Sequence, residues 1–297
     1  MTTSINRRQF LKQSSLAAAG SAFIGKEIHA EKTSTSVNWP IGCFNRPWGQ
    51  WSYDEALDGL QKAGFKLTGL VGKHKSKPEI ILTADSPVDY VDQLKSRITA
   101  HGLKPIVVWI RGPFKKDLKA TVQDLYRLTD NAKRLGINTL LSGGPRPDQS
   151  VEDYSALMSN LSAYAADHGI KVAMKPHGGD GAEIIRCLEQ VNHSNFSIWY
   201  DAGNIIYYTG GDPVAELKGL ASHVTGFCAK DCGGKGKPVM IQFGEGKADF
   251  QKVFQILKHA DFSGPIMIEC TGTPDSPEHA VQMAIQNRDY LKSVFAT

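Results

Sequence analysis

The sequence predicts a single (β/α)8 barrel of the TIM type, and three observations carry that prediction. Short apolar runs alternate eight times with amphipathic helical patterns between Trp39 and Val294. Four of those helical patterns stop at a glycine just before the next apolar run, in "KAGF", "AHGL", "RLGI" and "DHGI", where a left-handed glycine closes a helix. No linker interrupts the alternation, and one barrel needs roughly 250 residues. A doubly wound open sheet is the alternative; it calls for fewer strands and a GxGxxG fingerprint, which is missing after the first run.

In chain order, "WPIGCF" (39–44) reads as strand and is followed by a helical pattern over 53–63. "LTGLV" (67–71) precedes a helix over 87–100, and "KPIVVWI" (104–110) a helix over 118–135. "INTLL" (137–141) and "IKVAM" (170–174) lead into helices over 151–167 and 182–190. "FSIWY" (196–200) is followed by a helix over 214–220, which Asp212 and Pro213 open as cap and first-turn residue. "VTGFCA" (224–229) leads to a helix over 250–260 capped by Asp249, and "PIMIE" (265–269) to a last helix over 277–294.

The first 30 residues are set apart from the fold. Arg7 and Arg8, then Phe10, Leu11 and Lys12, then the weakly apolar "SSLAAAGSAFIG" and "EIHA", have the layout of a twin-arginine export signal. That layout implies handling by the twin-arginine translocation machinery, cleavage after Ala30, a short linker over 31–38 and a barrel over 39–297 in a periplasmic or extracytoplasmic location. A chance Arg-Arg pair at a cytosolic N-terminus is the alternative. The leader holds Arg7, Arg8, Lys12 and Lys26 against Glu27; subtracting that +3 from the chain's +4 leaves the mature part near +1. Nothing in that balance calls for a nucleic-acid partner. No later segment has about 18 consecutive apolar residues, so no membrane span is expected in the mature chain. The five cysteines are odd in number and lack CxxC spacing, which speaks against a disulfide framework; a Cys228–Cys232 bond is the alternative.

Chemistry in such barrels sits on the loops after the C-terminal strand ends. Those positions hold Asn45, Arg46 and Trp48, then His74, Trp109 with Arg111, and Ser142 with Arg146. The second half adds Lys175 with His177, Asp201 with Asn204, Cys228 with Lys230 and Asp231, and Glu269. Of nine histidines only His74 and His177 fall at strand ends. Trp48 and Trp109 are candidates to stack on a sugar face, with His74, Asn204 and Lys230 as further substrate-binding candidates. The Gly- and Lys-rich "DCGGKGKPVM" (231–240) lacks the GK[ST] ending of a phosphate loop and reads as a flexible loop over the site.

At "GIKVAMKPHGG", "IWYDAGN", "VTGFCAKD", "FGEGKADF" and "GPIMIE", each on its proper strand, the chain resembles the sugar phosphate isomerase/epimerase family. These are the xylose isomerase-like barrels, related to the family 2 AP endonucleases. The resemblance runs over the whole mature chain. It implies one divalent metal held by Glu, Asp, His and Glu from strands 5 to 8, at the positions here of Lys175, Asp201, Cys228 and Glu269. Two of the four are changed. A protonated lysine is no ligand, and a unit charge a few Å from another at an effective dielectric of about 20 is repelled by roughly 4 kcal/mol. Three readings of Lys175 stay open: a tethered cation facing Asp201 and Glu269, a lysine turned to solvent, or a desolvated amine acting as base or Schiff-base former. The cofactor is unknown: none, or one divalent ion, Mn2+ or Mg2+, or Zn2+ on Cys228, Asp201 and Glu269.

The resemblance implies an exported enzyme acting on a small-molecule carbohydrate or keto-sugar by proton transfer next to a carbonyl. Glu269 is the expected acid/base. Lys175 is the expected stabiliser of the enediolate, Asp201 holds the lysine or substrate hydroxyls, and His177 donates to a substrate hydroxyl or orients Glu269. A lyase or hydrolase acting on oxidised glycosides, and a non-catalytic sugar-binding barrel, are the alternatives. DNA repair is set aside, because it needs a multi-metal cluster rich in His and Glu.

Overall fold

The computed structural model describes residues 38–71, 74–75, 81–110 and 117–296. The twin-arginine motif, the linker up to residue 37 and Arg111 lie outside the described residues. Eight parallel strands close into a barrel in sequence order. They are β1 (Ile41–Phe44), β2 (Leu67–Leu70), β3 (Lys104–Trp109), β4 (Thr139–Ser142), β5 (Lys171–Met174), β6 (Phe196–Tyr200), β7 (Val224–Ala229) and β8 (Ile266–Ile268). β1 closes the ring by pairing with both β2 and β8, for example Cys43 opposite Thr68 on one side and Ile268 on the other.

Among the described residues eight helices follow the strands, with one short extra α-helical turn. They are α1 (Tyr53–Lys62), α2 (Val88–Ala100), α3 (Leu118–Leu135), α4 (Val151–Asp167), α5 (Gly181–Val191), the turn α6 (Ala202–Asn204), α7 (Pro213–Leu220), α8 (Phe250–His259) and α9 (Pro277–Phe295). Their boundaries follow local chemistry. Ser52 and Glu55 form a reciprocal capping box at α1, and Asp212, Asp249 and Ser276 each accept a backbone N–H at the starts of α7, α8 and α9. The four glycines picked out as helix ends, Gly64, Gly102, Gly136 and Gly169, all have positive φ.

Two apolar layers hold the barrel. Phe44, Val107, Leu141, Trp199, Cys228 and Met267 fill the interior, while the larger layer lies between the strands and the helices. Small residues make room for large ones inside: a Cβ on Gly226 would lie 2.2 Å from the Trp199 ring, so the strand carries glycine where its neighbour carries an indole. All five cysteines are free and buried. Among the described residues no helix is long and apolar enough to cross a membrane.

Candidate functional site

Lys175, Asp201 and Glu269 follow β5, β6 and β8 directly, and the sheet ladder runs on far enough to fix two of them. The Lys175 N–H donates to Ser142 O at 2.7 Å and the Glu269 N–H to Ala229 O at 2.9 Å. At this C-terminal mouth the three side chains meet. The Lys175 ammonium donates to Asp201 Oδ2 at 3.0 Å and to Glu269 Oε2. Lys230, after β7, brings a second ammonium 3.1 Å from Asp201 Oδ2 and 3.7 Å from Glu269 Oε2. Arg46, after β1, donates from Nη1 to Glu269 Oε1. Lys175 is 1% exposed, Asp201 2%, Glu269 3% and Lys230 4%. Two carboxylates and three cations therefore form one cluster at the floor of the mouth.

The electrostatics follow from that packing. Burial by itself would raise the Glu269 carboxyl, but Lys175, Lys230 and Arg46 outweigh it and hold it well below the usual carboxylate range. Burial likewise opposes the charge on Lys175, and Glu269 and Asp201 reverse the effect, so its pKa lies above the ordinary lysine value. Of the three readings of Lys175, the one in which it faces the two acids matches where the side chain lies.

The remaining oxygen of Asp201, Oδ1, accepts the Asn204 N–H at 2.9 Å and caps α6. Asn204 in turn donates to Pro176 O at 2.8 Å and accepts from the Lys230 ammonium. A Cβ on Gly203 would come within 2.5 Å of Lys230 O, so "DAGN" needs glycine there to bring α6 against β7. Asn204 and Lys230, expected to bind substrate, instead brace the cluster from below.

Other expected site residues are placed elsewhere. The Trp48 indole is fully buried, packs over Gly59 of α1 and donates to Pro277 O at 3.2 Å. The expectation that it stacks on a sugar gives way to an anchoring role for the turn Arg46–Trp48, which aims Arg46 inward. His74 is also fully buried. Its Nδ1 faces Trp51 O at 2.9 Å and its Nε2 faces Asn45 Nδ2 at 2.7 Å, while Asn45 Oδ1 accepts the Val71 N–H. It fastens the loops after β1 and β2 and has no face open to a ligand. Cys228 lies in the barrel interior, where burial keeps its thiol protonated.

These placements decide the metal question for the residues present. Every oxygen of Asp201 and Glu269 already accepts a hydrogen bond, three cations crowd the two acids, and Cys228 is a buried thiol. Among the described residues no three His, Cys, Asp or Glu side chains converge as a ligand group. The donor set expected for Mn2+, Mg2+ or Zn2+ at Asp201, Glu269 and Cys228 does not fit a divalent ion.

Above the cluster opens a cleft of about 550 Å3, with Arg46, Lys75, Trp109, His177, Tyr208 and Glu269 in its lining. Trp109 covers the Lys175 ammonium at 5.2 Å from the ring centroid and meets His177 edge-on at 5.0 Å. His177 Nδ1 lies 2.8 Å from Lys175 O. A carbonyl only accepts, so Nδ1 carries the proton and Nε2 presents its lone pair. Burial, with Lys175 adding to it, pushes the His177 pKa down to about 4, so the ring is neutral at pH 7. Arg46 and Tyr208 are the residues sequence reading undervalued. Arg46 stood at a strand end with no role assigned, and Tyr208 sits on a π-helical turn, Ile205–Thr209, that no periodicity marks. The loop 231–240 is not free: Asp231 accepts the backbone N–H groups of Cys232, Gly244, Gly246 and Ala248.

A family model described as the xylose isomerase-like TIM barrel matches residues 57–294. The chain belongs to that family. It is 27% identical over 155 residues to inosose dehydratase of Clostridium botulinum strain Alaska E43, covering 46% of this chain and 51% of that protein. It is 31% identical over 111 residues to L-ribulose-5-phosphate 3-epimerase UlaE of Salmonella paratyphi B, covering 36% of each. The chain thus spans about half or less of the length of these curated relatives. D-psicose 3-epimerase of Clostridium cellulolyticum H10, solved with D-tagatose, superposes with a TM-score of 0.70 at 12% identity, over 87% of this chain and 100% of that one; that likeness is one of fold.

Proposed function

We propose that this protein is a sugar-modifying enzyme that moves a proton next to a carbonyl, with Lys175 standing where its xylose isomerase-like relatives are expected to hold a metal. The observation that carries the reading is the Lys175 ammonium set between Asp201 and Glu269 at the barrel mouth. The relatives' names support the chemistry, since epimerisation and dehydration next to a carbonyl both begin with removal of a proton from carbon. That step needs an unprotonated base and a positive group facing the carbonyl oxygen.

His177 fits the base better than Glu269 does. Both Glu269 oxygens are held by cations, which makes it a weak base, whereas His177 lines the cleft with a lone pair on Nε2. The base takes the proton from carbon, the electron pair moves onto the carbonyl oxygen, and the positive field of Lys175 at the floor of the mouth stabilises the resulting enediolate. Return of the proton gives epimer or isomer. Loss of a neighbouring leaving group gives the elimination product, a second reading that the dehydratase relatives favour. Asp201 and Glu269 then serve to hold the cations in place.

Deuterium wash-in from D2O into D-fructose, D-tagatose and D-psicose tests turnover. Exchange that disappears in His177→Gln supports the enzyme, and binding with no exchange in any ketose points to a sugar-binding barrel. Metal analysis of the purified protein tests the lysine: a stoichiometric ion removable only together with activity would sink the tethered-cation account. We also propose that the N-terminal Arg7-Arg8 motif directs twin-arginine export to the periplasm. Cell fractionation of the wild type beside an Arg7→Lys, Arg8→Lys variant reads it directly, and an unprocessed cytosolic wild type would exclude it.

A further inference from the structure

The charges around the cleft do not balance, and the imbalance names a substrate class. Among the described residues Arg46, Lys175 and Lys230 meet two carboxylates, Asp201 and Glu269, and Lys75 adds a fourth cation at the rim. Among the described residues Glu269 is the one acid in the lining of the cleft, and its oxygens are already taken up by Arg46 and Lys175. His177 contributes no charge. The described residues therefore give the cleft an excess of about two positive charges in a half-enclosed space, where unpaired charge is unfavourable until an anion arrives.

Arg46 is placed to receive that anion. Its side chain is 36% exposed, and only Nη1 is engaged, on Glu269; Nε and Nη2 have no acceptor among the described residues. A guanidinium that lines the cleft and is pinned there at one nitrogen matches the fork geometry that carboxylates accept. Lys75 lines the same cleft, with its backbone N–H tied to Gly49 O at 2.8 Å, in the loop that follows Arg46.

Resting on the reading of this cleft as the substrate site, we propose that the enzyme acts on a sugar acid, whose carboxylate docks on Arg46 and Lys75 while its carbonyl end lies toward His177. Recognition of a carboxylate also separates the two jobs of the cations. Lys175, buried with the acids, polarises the reacting end, and the outer pair, Arg46 and Lys75, holds the charged end of the substrate.

Calorimetric titration with matched pairs tests this: D-glucose with D-glucuronate, D-galactose with D-galacturonate, D-fructose with D-fructuronate, and D-fructose 6-phosphate as the phosphate arm. At least one acid is expected to bind tenfold or more tighter than its neutral partner, and the advantage falls with added salt. Lys75→Met, at the exposed rim, should remove at least a threefold part of it, and Arg46→Met most of it. Should Arg46→Met fail to fold, Arg46→Lys takes its place, with the loss expected to be partial. Neutral sugars binding and exchanging as well as their acids would overturn the sugar-acid inference and leave the proton-transfer reading intact. Tight binding of the phosphate ester alone would overturn it too. No binding of any sugar would remove both readings.

Discussion

The Lys175 ammonium lies 3.0 Å from Asp201 Oδ2, across the gap between two neighbouring strands, and neither side chain reaches solvent. A buried ion pair of this kind adds little to stability compared with apolar packing, yet breaking it from one side is costly, because the abandoned charge stays buried.

Lys175→Met therefore leaves Asp201 and Glu269 short of a cation. The expected loss is roughly 3–5 kcal/mol in urea unfolding. Adding Asp201→Asn should recover part of it, as coupled neighbours do. Strictly additive losses in the double variant would mean that the two residues do not act as a pair.

The His177 ring sets the acid limb of activity. With its pKa near 4, the base stays unprotonated well below the ordinary histidine value of about 6.5. The activity profile should hold through pH 5 and fall near pH 4, and an acid limb at pH 6 to 7 would argue against His177 as the base. Stability moves in the same direction. Between about 6.5 and 4 the unfolded chain takes up a proton that the folded chain refuses, so stability is complete above this window and declines as pH falls through it.

The two tryptophans at strand ends separate cleanly. Trp48→Ala empties a packed site and is expected to lower stability by about 3–5 kcal/mol, with KM affected little in the protein that remains folded. Trp109→Ala removes a cleft wall and the aromatic cover over Lys175, and should raise KM roughly threefold to tenfold. The opposite pattern would place the sugar against Trp48.

Asp231 closes the loop after β7. Its carboxylate accepts four backbone N–H groups, and Asp231→Ala leaves them without that acceptor. A loss of roughly 2–4 kcal/mol is expected, with faster proteolysis between residues 232 and 248. An unchanged digestion pattern would show that the loop is held by other contacts.

Much of the site could be read in advance because barrel topology assigns chemistry to strand ends, and strand ends are local features. Lys175, Asp201 and Glu269 were expected together, and they meet. The same rule also nominated Trp48, His74 and Asn204, because position on a strand end does not say which way a side chain turns. Trp48 turns toward Gly59 and His74 toward Asn45, choices made by room and by hydrogen-bond partners on distant segments.

By itself the sequence determined the barrel, through apolar runs of strand length, helical periodicity and glycines at helix ends, all of which act over a few residues. It also determined that a lysine stands at the fifth strand end where the family resemblance implies a glutamate. Tertiary structure alone decided that Arg46, 223 residues from Glu269, shares that acid with Lys175, and that His177 keeps a lone pair on Nε2. Charge balance and tautomer are set by atoms a few Å apart in space, and separation along the chain carries no record of them.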